Sequence, residues 1–215
     1  MIRFSRLSRL PSSDPGVSNA IGIETLPSAG RWLLLGAALA AIAVAAGLAS
    51  AAIGIGDAMF MEGEPVEMLQ DWALAAGIAV FALTAWKSSD ARVVYCLVAA
   101  FAVTFALVRE TPRCGSAYAG DGTCLTETWK LAVMLSASGL TLLALLVRRV
   151  PWRTALRLAH LRWAWPSIVV LVLVATSQIF DKSATVEIEE PLELAAYLYL
   201  LCFALWMLRQ SRRGA

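Results

Sequence analysis

Apolar residues follow one another almost without a polar face over six stretches, at roughly 32–56, 65–86, 93–110, 128–147, 164–180 and 191–208. A helix with one face in water would carry polar residues every three or four positions, and these stretches do not. Each approaches the ~20 residues that cross a ~30 Å hydrocarbon layer as a helix. The shorter ones, 93–110 and 164–180, are extended by Arg109 and Trp165, whose amphipathic side chains reach an interface. The connections are too short to hold another domain. The pattern predicts an all-α, polytopic integral membrane protein with six transmembrane helices. A tail over 1–30, flexible or on the membrane surface, precedes a transmembrane domain over 31–210. A basic C-terminal tail follows over 211–215.

Composition agrees with that reading. Of the 215 residues 59% are apolar and 16% charged, against about 45–50% and about 25% in soluble domains. A water-soluble globule, a disordered chain and a disulfide-dense miniprotein are excluded. Residues 1–30 hold Pro11, Pro15 and Pro27 and no apolar run before Trp32, so no cleavable signal is expected. Arg supplies 15 of the 18 basic residues, which with the abundance of Ala suggests a GC-rich bacterial source.

The placement of charge predicts the orientation. With the N-terminus inside, 14 basic residues fall on the inner side, five of them at Arg148, Arg149, Arg153, Arg157 and Arg162. Arg109, Arg113, Lys130 and Lys182 are left to the outer side, with 13 of the 16 acids. By the positive-inside rule both termini are expected in the cytoplasm, and the protein in the bacterial inner membrane. Cys114 and Cys124 then close a Gly-rich outer loop, where a structural disulfide is expected. Their spacing is too wide for a Cys-x-x-Cys redox pair.

A second regularity lies in the acids. Glu64-Pro65-Val66-Glu67 opens the second span and Glu190-Pro191-Leu192-Glu193 the sixth, 126 residues later. At the half-offset of 63, Glu127-Thr128-Trp129-Lys130 opens the fourth. The spacing suggests three pseudo-repeated hairpins, each returning on a helix that starts with Glu. Binding sites in repeated membrane folds often lie between the repeats. Glu64, Glu127 and Glu190 would share one depth, with Glu67, Lys130 and Glu193 one turn further in. Asp71 continues the face from Glu67, and Tyr197 from Glu193. Arg109 and Glu110 close the third span beside them, and Gln178, Asp181 and Lys182 the fifth.

Two explanations compete for these residues. Pro at the first helical position and Glu three residues on are ordinary helix starters. That accounts poorly for Asp71, two turns in, and for Arg109 and Lys130 on the same side. Ionisable groups in hydrocarbon cost at least ~2.5–3.5 kcal/mol unless they pair or meet water. The alternatives are a buried charge network and an acidic outer vestibule that takes a ligand.

His160 is the only histidine and lies on the inner basic connection, which excludes bis-His haem and His-rich zinc and, barring another base, a Ser-His-Asp triad. Glu64, Glu67, Glu190 and Glu193, with Glu127, leave a carboxylate site for a hard cation conceivable, although their spacing equally suits capping. No cofactor is expected. No Walker loop, dinucleotide fingerprint, nucleophile elbow or zinc-protease motif is present. The Arg- and Trp-bearing stretch 148–163 suits an interfacial helix on anionic lipid better than a nucleic-acid site. Ala43, Gly47, Ala51 and Gly54 form a small-residue ridge for close helix packing. The leading expectation is a non-enzymatic protein that binds a partner, a lipid or a small cationic ligand at its outer mouth. The alternatives are a cation- or proton-coupled transporter, and an enzyme acting on lipid or isoprenoid head groups with a Glu as acid/base or metal ligand.

Overall fold

The computed structural model describes residues 26–55, 65–88, 92–115, 124–148, 162–181 and 186–213. They form six long helices: α1 (Ala29–Ile53), α2 (Pro65–Lys87), α3 (Arg92–Glu110), α4 (Glu127–Arg148), α5 (Pro166–Asp181) and α6 (Val186–Arg213). A 3-10 turn, Arg162–Ala164, leads into α5. No strand occurs among the described residues. All six helical stretches are long and apolar enough to cross a membrane, as the hydropathy pattern predicts.

The helices alternate in direction, so one end of the bundle collects Arg31, Lys87, Arg92, Arg148, Arg162 and Arg209. The opposite end collects the acids at the starts of α2, α4 and α6. The innermost charges define the apolar layer between these two ends. Asp71 and Lys87 on α2 are 16 residues apart, Arg92 and Arg109 on α3 are 17, Lys130 and Arg148 on α4 are 18, and Glu193 and Arg209 on α6 are 16. At 1.5 Å per residue these intervals are about 24–27 Å, slightly less than a hydrocarbon core. Asp71 and Glu193 bound this layer at the acidic end of α2 and α6.

α6 is the hub of the bundle. It packs against α1, α2 and α5 and meets α3 through the Tyr95–Phe203 and Glu110–Tyr197 side-chain contacts. Its buried face, Ala196, Tyr199, Phe203, Ala204 and Met207, is fully enclosed. Trp32, Phe81, Tyr95, Trp163 and Trp206 gather around Phe203 and Tyr199 in edge-to-face and stacked pairs. This aromatic core fills the half of the bundle nearer the basic end. Tyr95 also shares a hydrogen bond with Ser167, fastening α3 to α5.

The hairpins are not alike. α5 and α6 pack together, as do α3 and α4, but α1 and α2 share no packing contact and stand on different sides of α6. α4 lies along α3 with no buried residue. Its last residue, Arg148, donates to the Trp86 carbonyl at 2.8 Å and lies over that indole ring.

Two expectations are corrected in detail. The sixth helix begins at Val186, so Pro191 lies inside it rather than opening it. Proline has no N–H to offer the carbonyl four residues back, which frees the Glu187 oxygen from the helical ladder. That oxygen faces Gly47 of α1, at the position a Cβ would occupy. Gly47 is thus required by close backbone approach, with a Cα–H···O contact in place of a side chain. The packing ridge itself runs through Gly36, Ala43, Gly47 and Ser50. Ala51 is exposed, and Gly54 caps the helix at φ 72°, its N–H and that of Ile55 closing on Ala51 and Ser50. The left-handed turn, not helix packing, explains that glycine.

Candidate functional site

Where α2, α3, α5 and α6 meet at the acidic end, their polar residues converge on α6. Glu190, Glu193 and Tyr197 recur at helical spacing along one side of α6, each facing a different neighbour. Glu190 faces α2, where the Gln70 amide nitrogen donates to its carboxylate at 2.7 Å and to its backbone carbonyl at 3.0 Å. Glu193 faces α5 and accepts from the Ser177 hydroxyl at 3.0 Å and the Gln178 amide at 2.8 Å. Tyr197 donates its hydroxyl to Glu110 of α3 at 3.1 Å.

Burial makes these bonds consequential. Gln70 is 1% exposed, Glu193 3% and Tyr197 6%, so each polar group has given up water for its protein partner. The Gln70 amide has one chemically sensible orientation. Turned over, its oxygen would oppose both the carboxylate and the carbonyl of Glu190.

The acids also feel one another. Glu110 lies within electrostatic reach of Glu193, Arg109 and Asp71. Glu190 lies within reach of Glu193, Glu189 and Glu110, and Asp71 within reach of Glu67. Among the described residues, the cation that pairs with this group is Arg109, whose Nε is 3.7 Å from Glu110 and whose side chain is half exposed. The direct partners of Glu190 and Glu193 are neutral amides and a hydroxyl. Gln70 Oε1 and Asp71 Oδ1 are buried and accept no hydrogen bond among the described residues.

The expected site is thus brought together in part. Asp71, Arg109, Glu110, Glu190, Glu193 and Tyr197 share one neighbourhood, with Glu67 at its edge through Asp71. Glu127 does not join them: it is exposed on α4 and pairs with Arg113 at 3.1 Å. Lys130, one turn further along α4, is likewise carried on the helix that packs along α3. Glu64 lies outside the described residues, as do Lys182 and the Arg-rich stretch 149–161. No three His, Cys, Asp or Glu among the described residues are arranged to hold a metal ion.

Gln70 and Ser177 are the members that the acid pattern misses. Their trace in the sequence is the polar pairs Gln70-Asp71 and Ser177-Gln178, each interrupting an apolar run.

Beside the cluster, Cys114 and Cys124 form a disulfide that ties the end of α3 to the start of α4. The Cys114 N–H donates to the Leu125 carbonyl at 3.1 Å and the Leu125 N–H to Pro112 at 2.9 Å. This clip sets the exit of the chain one turn beyond Arg109 and Glu110. Compared with known protein families, curated proteins and solved structures, the chain has no match.

Proposed function

We propose that this is a non-enzymatic protein of the bacterial inner membrane, with both termini in the cytoplasm, that binds a small cationic group at its outer acidic mouth. The observation that carries the reading is the buried carboxylate of Glu193, held by neutral donors, with Glu190 and Glu110 in electrostatic reach and Arg109 the cation at the edge. Such a group favours an incoming positive charge that brings its own donors. The sorting of Arg to one end and the Cys114–Cys124 bond at the other both suit this orientation.

The aromatic packing of Trp32, Tyr95, Trp163, Tyr199 and Phe203 disfavours a path from the cluster to the basic end. Binding is therefore preferred to transport. The test is thermal unfolding of the detergent-solubilised protein with ethylammonium, tetramethylammonium, sodium or magnesium. At least one cation should raise the Tm of the native protein, and the gain should vanish in Glu190→Gln with Glu193→Gln. Equal response of both proteins to every cation would refute the reading.

A further inference from the structure

The orphaned acceptors of the cluster narrow the ligand further. Gln70 Oε1 and Asp71 Oδ1 are adjacent in sequence and buried, and accept nothing among the described residues. Leaving a buried acceptor unpaired is costly, so a group able to donate there is favoured. An unpaired carboxylate oxygen and an unpaired amide oxygen each call for an N–H or O–H donor. A quaternary ammonium has none, and a metal ion would need the carboxylates that Gln70, Ser177 and Gln178 already engage.

Depth supplies the second constraint. Asp71 stands at the border of the apolar layer, about 24 Å along α2 from Lys87 at 1.5 Å per residue. Its neighbour Trp72 is 69% exposed on the outside of the bundle, and Trp129 on α4 is 64% exposed beside Lys130. Outward tryptophans next to the last charges mark head-group level. The cluster is therefore level with lipid head groups. At its rim the half-exposed Arg109 adds a guanidinium, the side chain best suited to phosphate.

We propose that the cluster binds the head group of a primary-amine phospholipid, phosphatidylethanolamine in chemical class. Its ammonium is received by Gln70 Oε1 and Asp71, with the negative charge of Glu190 and Glu193 behind them, and its phosphate by Arg109. The inference rests on the cation-binding reading above and deepens it. A soluble primary amine offers the same ammonium without the phosphate or the acyl chains.

The test is native mass spectrometry of the full chain released from nanodiscs of equimolar phosphatidylethanolamine and phosphatidylcholine. Separate samples receive free ethanolamine. The native protein should retain phosphatidylethanolamine about tenfold over phosphatidylcholine. Asp71→Asn, which keeps shape, and Arg109→Gln, which removes the guanidinium, should each abolish most of that preference. Helicity by circular dichroism and a monodisperse elution profile establish that these variants fold. Equal retention of the two lipids by the native protein overturns the proposal. So does a preference that both variants preserve. Displacement of the lipid by micromolar ethanolamine would make the ligand a soluble amine and overturn the lipid assignment. If the lipids are not distinguished while ethylammonium still stabilises the native protein in detergent, only this inference falls. If neither responds, the binding reading falls with it.

Discussion

Gln70 on α2 and Glu190 on α6, 120 residues apart, are joined twice by one amide nitrogen, at the carboxylate and at the backbone carbonyl. The pair fixes the register of two parallel helices at the point where the bundle opens to the acidic end. Replacing Gln70 by Leu leaves the Glu190 carboxylate without that donor, and about 1–3 kcal/mol of stability should be lost. Gln70→Glu should be worse, because two carboxylates would then face each other. Thermal unfolding in detergent reads the order native, Leu, Glu. A Leu variant as stable as the native protein would show that the amide contributes nothing to the helix pair.

Gly47 makes a sharper prediction. A methyl group there would collide with the Glu187 carbonyl, a backbone atom that cannot swing aside. Gly47→Ala should lower stability by roughly 1–3 kcal/mol, the usual cost of overpacking. Gly30→Ala, with open space around it, should not. Equal unfolding temperatures for the two variants would contradict the close approach of α1 and α6.

The disulfide should act locally. Its ten-residue separation corresponds to about 2–3 kcal/mol of loop-closure stabilisation. Cys114→Ser with Cys124→Ser should raise hydrogen exchange at the residue 114 and Leu125 amides and in the first turn of α4. The α2–α6 contact should keep its protection. Loss of protection throughout the bundle would mean that the clip supports far more than the α3–α4 connection.

The pattern of apolar runs is sufficient to read the six helices, because in a membrane the length of such a run is itself the structural constraint. Helix neighbours are not legible in the same way. Every outward face is apolar whether it meets lipid or protein, so nothing in the sequence distinguishes enclosed α6 from peripheral α4. For that reason Glu127 and Lys130, aligned with Glu190 and Glu193 by spacing, do not share their surroundings. Pro191 misleads similarly: a residue that commonly starts helices lies within one, where its missing N–H serves a neighbouring helix. Asp71, Arg109, Glu110, Glu193 and Tyr197 were identifiable because charges and phenols at the end of apolar spans are uncommon. Gln70 and Ser177 carry no charge and gain significance only from the groups opposite them.

The position of the hub along the chain sets an order of assembly. α1 and α2 leave the ribosome first, yet they share no contact and wait for α6, the last of the six helices, to stand between them. Helices inserted separately associate in a later step. Until then Gly47 has no backbone to meet, and the Gln70 amide lacks its Glu190 partner. A chain arrested before α6 would thus carry a bare glycine face and an unmatched amide, both shaped for a helix that is not yet there.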